Sequence, residues 1–405
     1  MTLPLSESAT DVTSYNLNKL FLSFKKIVDN EKEYHAEGGA PNGKYYRTYN
    51  QREATEATGI NHKAINSACE QLGIDYRDGK KWCIDYPEML QLRDAFGGIK
   101  PFKRPADSKC SVWSVSILKG GTGKTTVSTT LAAGLAGQLH EQYRVLLVDL
   151  DPQSTATKIY APKFTDDDVS IGDLMMWDDD DDETMTVAQA SKAAITKTNI
   201  HSLDILCSKD DDREYEVYVK EKENEATVKG ESYASYKDLQ KVIDAVADDY
   251  DVVLIDTPPH FSASNLAAHY VANNLLIPIR PAENDWDSSY KYLRFLNRVY
   301  KYLSALGHPG YDNIKMLISA QKSNSRTQER IAQKIRVAAS MNHMLSNVFP
   351  DSDAVQACGE LNSTIYDLSE SDFPGTKKSL RKAHDDVLRV VHEFELTIRD
   401  SFRSE

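Results

Sequence analysis

The 405-residue chain has few of the features that would mark four common protein classes. No apolar run approaches the ~18 residues that a bilayer-spanning helix needs, so an integral membrane protein is not expected. The Met1–Glu7 segment has neither a basic patch nor an apolar stretch, which argues against a secretory signal and for the cytoplasm. Cysteine is scarce. The five residues, Cys69, Cys83, Cys110, Cys207 and Cys358, are scattered without Cys-x-x-Cys spacing, which argues against a disulfide framework or a zinc site and fits reduced, mostly buried thiols. A basic excess is also missing. The net charge of −13 does not announce a nucleic-acid binder. Much of the acid is confined to Asp166–Asp168, Asp178–Glu183 and Asp210–Asp212, which read as solvated loops, so global charge is a poor guide to local surfaces.

What is present is a soluble globular composition, 40% hydrophobic and 27% charged, at a length that accommodates more than one domain. Its most informative stretch is Lys119-Gly120-Gly121-Thr122-Gly123-Lys124-Thr125-Thr126, between a strand-like run at 111–118 and a helix-like run at 125–139. That context is what phosphate binding requires. Glycines let the backbone wrap the phosphates, and successive N–H groups converge at the helix start. Lys124 is placed to neutralise the β- and γ-phosphates, and the Thr125 hydroxyl to hold Mg²⁺. The usual pattern has glycine where this chain has Leu118, and here an additional lysine, Lys119, follows it. The loop is therefore of the deviant kind.

The spacing predicts three regions. Residues 1–45 contain one amphipathic helix, with Leu17, Leu20, Phe21, Phe24, Ile27 and Val28 on one face, available for packing or for a dimer contact. Residues 46–105 read as a winged helix-turn-helix and linker: helices at 51–57 and 61–72 about a Thr58-Gly59-Ile60 turn, then a hairpin over 76–84 with Asp78-Gly79 at its tip. Asn61, His62, Lys63 and Asn66 lie at the start of the second helix, where side chains reach base edges, and Lys80 and Lys81 make the wing basic. A purely structural helix pair is the competing reading. From about 106 to 405, strand-like runs (111–118, 143–149, 203–207, 251–256, 274–280, 314–319) alternate with helical patterns (236–248, 287–304, 325–338, 376–400). Such alternation predicts an α/β fold, a mostly parallel twisted sheet with helices on both faces. Segments 160–200 and 208–235 carry no assignable pattern.

Two further motifs end strands, where open α/β sheets place their ligands. Asp149-Leu-Asp151-Pro-Gln153 follows one apolar run and Asp256-Thr-Pro-Pro259 another. An aspartate at such a position holds Mg²⁺ or orients the attacking water, though a lone one is often only a helix cap. With the loop, these segments resemble the ParA/MinD ATPases, and the helix-turn-helix narrows the resemblance to the larger ParA partition ATPases of plasmids and secondary chromosomes. Glu283–Ser289 and Ala357–Glu360 also look like those larger members.

The resemblance implies ATP/ADP and Mg²⁺ as cofactors, with Gly120, Gly121, Thr122, Gly123, Lys124, Thr125 and Thr126 around the phosphates. It makes Lys119 the signature lysine that reaches the partner subunit's nucleotide, Asp151 the hydrolysis-linked aspartate and Asp256 the Walker B residue. It further implies slow ATP hydrolysis stimulated by a ParB-like partner, a homodimer on non-specific DNA, autoregulation of the partition operon at operator DNA, and a nucleoid-associated cytoplasmic location without membrane contact. Lys377, Lys378, Arg381 and Lys382, at the start of the last helix, are the first candidates for phosphate contacts; Arg326, Arg330, Lys334 and Arg336 are the second. Two rival readings share the core. A MinD-like membrane switch needs a free amphipathic terminus, which the acidic Asp400–Glu405 end does not favour. An ATP-sensing repressor without a transport role differs only in lacking stimulated turnover.

Overall fold

The computed structural model describes residues 16–27, 43–79, 81–97, 102–178, 184–322 and 325–402, apart from the side chains of residues 284–286. Residues 1–45 and 46–405 form two separate units. In the first, residues 16–27 are helical (α1), and Leu17, Leu20, Phe21, Phe24 and Ile27 are all exposed; Val28 lies outside the described residues.

The second unit begins with a helical segment that has its own core. Helix α2 (Gln51–Thr58) starts at Asn50, whose side chain and that of Glu53 satisfy each other's backbone N–H groups. It ends at Gly59, whose φ of +69° is a left-handed turn that glycine adopts at no steric cost. Helix α3 (His62–Leu72) follows, then a two-strand hairpin, β1 (Arg77–Asp78) against β2 (Lys81–Trp82), and α4 (Tyr86–Ala95). Ala54, Ile65, Cys69, Ile84, Met89 and Leu92 are fully buried among these elements.

The larger part is built on β3 (Ser111–Val115), α5 (Lys124–Ala136), β4 (Val145–Asp149), α6 (Thr155–Tyr160), α7 (Ile171–Met176), α8 (Val187–Ala193), β5 (Thr196–Lys197) and β6 (Leu203–Leu206). It continues through α9 (Tyr215–Lys229), α10 (Asp238–Val246), β7 (Val252–Asp256), α11 (Ala263–Val271), β8 (Asn274–Ile279) and α12 (Glu283–Ala305). It closes with β9 (Asn313–Ile318), α13 (Arg326–Ala339), α14 (Asp353–Glu360) and α15 (Lys377–Ser401). Seven strands form one sheet in the order β5-β6-β4-β7-β3-β8-β9, parallel except for β5. β3, β4 and β7 are buried on both faces, as continuous apolar runs in a parallel sheet require.

Alternate residues separate the two layers. Leu146, Val148, Val253 and Ile255 pack with α7, α10 and α11. Trp113 meets Phe394 of α15 edge-on, with ring centroids 4.6 Å apart. Helix α5 is buried nearly throughout, its Ser128, Thr129 and Thr130 included.

The expected strands and helices of this part are present within a few residues of their predicted ends. The two unassigned segments contain structure: α7, α8 and β5 in the first, the 15-residue α9 in the second. One acidic run also differs from the expectation of solvated loops. Asp212 is buried, and desolvation pushes its carboxyl up to about 6 even though it accepts a hydrogen bond from Ser170 Oγ. All five cysteines are free thiols, four of them buried. Among the described residues, no helix is long and apolar enough to cross a membrane.

Candidate nucleotide site at the strand ends

The loop between β3 and α5 leaves the centre of the sheet, where β3 is flanked by β7 and β8. Gly121 (φ +73°) and Gly123 (φ +81°) take left-handed conformations that turn the chain sharply into α5. No atom lies within 4 Å of the position a Cβ would occupy on Gly120, Gly121 or Gly123, so the concave side of the loop is open to a ligand. α5 begins at Gly123 without a side-chain cap, leaving its first N–H groups for an anion. The outer wall is fixed by Ser319 Oγ, at the end of β9, which donates to the carbonyl of the buried Thr122 at 2.7 Å. Thr125 is half-buried and Thr126 exposed.

The buried Lys124 folds back so that Nζ donates to the Lys119 carbonyl at 3.1 Å. Burial lowers its pKa, against the opposing pull of Asp256 and Asp151. Lys119 itself is half-buried beside it.

Asp256 ends β7 in register with Val115, the last residue of β3, and with Asp149, the last of β4. It is fully buried, and neither carboxylate oxygen accepts a hydrogen bond among the described residues, although the Thr125 and Ser128 hydroxyls stand close enough to lower its pKa. Desolvation and the Asp149 carboxylate both push it up. A buried carboxylate with unused oxygens beside a threonine hydroxyl and a lysine fits a hard divalent cation and a phosphate.

Asp149 had no role in the sequence reading, although its motif was noticed. Its Oδ2 accepts from the Thr157 N–H and hydroxyl, both at 2.9 Å, and its Oδ1 from the Asp151 N–H at 3.2 Å. Ser208 Oγ donates to the Asp151 carbonyl at 2.9 Å. Asp149 is thus a buried anchor that shapes the loop presenting the half-buried Asp151. The signal was there: two apolar strand runs each ending in aspartate, which a parallel register sets side by side.

The proposed DNA contacts fall elsewhere. Asn61 caps α3, its Oδ1 accepting from the Lys63 and Ala64 N–H groups at 3.1 Å. His62, Lys63 and Lys81 are exposed. Asn66 is half-buried, with Oδ1 enclosed and unbonded among the described residues, and Lys80 lies outside them. In the last helix, Lys377, Lys378 and Lys382 are exposed, with Lys382 3.0 Å from Asp386. Arg381 is engaged in a two-pronged pair with the buried Glu370, which also meets Arg52 of α2 at 3.2 Å and Asn50 at 3.4 Å. Sequence reasoning could not see that partner, which belongs to a loop eleven residues away.

A family profile described as an AAA domain matches residues 110–305. Plasmid partition protein A of Escherichia coli is 27% identical over 296 residues, covering 70% of each chain. Sporulation initiation inhibitor protein Soj of Bacillus subtilis is 27% identical over 46% of this chain and 64% of its own. A solved partition protein superposes with a TM-score of 0.64 at 19% identity, covering 97% of this chain and 99% of that one. With its lysine-bearing phosphate loop and its paired strand-end aspartates, the chain is similar to these ParA-type partition proteins in sequence and in fold.

Proposed function

We propose that the chain hydrolyses ATP to ADP and phosphate in a cycle that moves plasmid or chromosomal DNA. The observation that carries this reading is the enclosed carboxylate of Asp256, with two unbonded oxygens at the foot of an open glycine cradle. Mg²⁺, once bound with the nucleotide, would neutralise phosphate charge, held by the Thr125 hydroxyl and by Asp256 and Asp151 directly or through water. Lys124 gives up its contact with the Lys119 carbonyl and turns to the phosphates. The α5 N-terminus and the loop N–H groups complete the cradle. Asp151, held by Asp149 and Ser208, orients the attacking water. Lys119 acts across a homodimer, putting a cation on the partner's phosphates only when two subunits meet. The exposed apolar face of α1 suits a second dimer contact.

The ATP-bound dimer binds DNA without regard to sequence, through Lys377, Lys378 and neighbouring cations. A ParB-like protein stimulates hydrolysis and releases it. Residues 46–105 act as a DNA-binding domain that represses the partition operon, with His62, Lys63 and Lys81 toward operator DNA, while 106–405 form the ATPase. The protein works in the cytoplasm, on the nucleoid. The test is anisotropy of a labelled random-sequence duplex titrated in Mg-ATP, in Mg-ADP and without nucleotide. Tight, salt-sensitive binding in Mg-ATP alone supports the cycle; binding indifferent to nucleotide, or confined to one operator, supports the repressor reading instead.

A further inference from the structure

Away from the nucleotide, three metal-ligating side chains converge where the α5–β4 connection meets α15. His140 lies in that connection, and His392 and Glu395 stand three residues apart on one face of α15. One donor atom from each lies within 4.8 Å of the other two. The Glu395 carboxylate is buried, with His140 Nε2 at 3.0 and 3.1 Å from its oxygens. The Tyr143 hydroxyl lies between two carboxylates, 2.8 Å from Glu141 Oε2 and 3.2 Å from Glu395 Oε1, as an outer partner of a metal ligand does. The Arg399 guanidinium pairs with Glu141 at 3.3 Å.

An ion pair between His140 and Glu395 accounts for two of the three groups. It does not account for His392. That exposed imidazole sets its ring edge-on to His140, centroids 5.6 Å apart, and makes no hydrogen bond among the described residues. Two imidazoles and one carboxylate are a donor set suited to zinc-like ions, with the fourth position left for water. Here that position opens to a cavity of about 550 Å³ that His140 and His392 line together with Arg47, Tyr49 and His384. Bond lengths of about 2.0–2.2 Å would bring the donors roughly 3.4 Å apart, a contraction within reach of side-chain rotation.

We infer that His140, His392 and Glu395 bind a divalent transition-metal ion of the zinc type, with an open coordination position. The ion would clip α15 to the segment on which α4 docks. Tyr86 Oη donates to the Ala136 and Gln138 carbonyls at 3.1 and 2.9 Å, and Arg93 Nη1 to that of Leu139 at 3.2 Å, all within four residues of His140. Metal occupancy would therefore stiffen the joint between helical segment and α/β core.

The test uses untagged, chelator-treated full-length protein with Mg-ADP in excess to fill the phosphate loop, titrated with Co²⁺. The expected result is one equivalent of Co²⁺ with the intense visible absorption of a four-coordinate site. His392→Ala, a surface change that should leave folding intact by circular dichroism, should weaken binding at least tenfold, while Lys124→Ala leaves it unchanged. Zn²⁺ should displace the Co²⁺ signal and raise Tm by a few degrees in the parent but not in His392→Ala. Absence of the four-coordinate absorption, its persistence at full affinity in His392→Ala, or its loss in Lys124→Ala would overturn the assignment. None of these readouts depends on ATP turnover or DNA.

Discussion

Lys119 and Lys124 share one loop, the first half-buried and the second buried, and separate consequences follow. Lys124 is buried with its ammonium against a carbonyl that a phosphate would replace, so Lys124→Ala should abolish ATP binding in a fluorescent-nucleotide titration. Lys119→Ala should leave nucleotide affinity within a few-fold and lower turnover by on the order of 10²–10³, since a cation that acts on transition-state charge contributes to rate more than to binding. Asp256 offers a test by pH. Its carboxyl is raised by burial and by Asp149, whereas the unfolded chain titrates near ~4. Between those two values the unfolded state has lost a proton that the folded state keeps, so folding stability falls as pH rises through that window and levels off above the folded pKa. Asp256→Asn removes this effect. Without Mg²⁺ and nucleotide, the variant should be the more stable at pH 7, its advantage over the parent growing by about 1.4 kcal/mol per pH unit across the window, by urea titration. Mg-ATP should reverse the order by stabilising the parent alone.

At the scale of elements, the seam between α5 and α15 carries the argument. A Cβ on Gly134 of α5 would lie 2.6 Å from Val391 Cγ2 and 3.1 Å from the Tyr366 ring, and a β-branched valine cannot swing aside. Gly134→Ala should therefore cost about 1–3 kcal/mol by overpacking, despite alanine's better helix propensity. Adding Val391→Ala should recover part of the loss, giving a coupling energy in a double-mutant cycle. Little of this seam was legible in the sequence, because helical periodicity marks which face is apolar and not which helix it meets. The strands and the phosphate loop were legible for the opposite reason, since apolar runs ending in Gly-rich or acidic punctuation define them locally. α9 was not, because only Tyr215 and Val219 of its fifteen residues are buried and Val217 and Val228 face outward, which blurs the pattern. Arg381 read as a surface cation until Glu370, brought in by the loop before α15, showed it to be half of an internal pair.

That pair shapes what the whole molecule can present to DNA. Glu370 gathers Arg381 from α15 together with Arg52 and Asn50 from the start of α2, so the loop preceding the last helix ties the helical segment to the α/β core. Arg381→Ala should therefore act mainly on this joint, lowering Tm while changing DNA affinity only slightly. Lys377 and Lys378 are exposed and project from the first turn of α15, where phosphate contacts would cost no internal partner beyond the long 4.0 Å approach of Lys377 to Glu370. Each phosphate neutralised contributes about 0.9 to the slope of log affinity against log salt. Replacing both lysines by alanine should flatten the slope measured in Mg-ATP by about 2 per subunit if each meets one phosphate, equally for random and operator duplexes. Lys63→Ala with Lys81→Ala should weaken operator binding and leave the random duplex nearly unaffected. Anisotropy between 50 and 200 mM salt separates the two surfaces. If the lysine pair at α15 left the random-duplex slope unchanged, the non-specific surface would have to be sought on α13, around Arg326, Arg330 and Lys334.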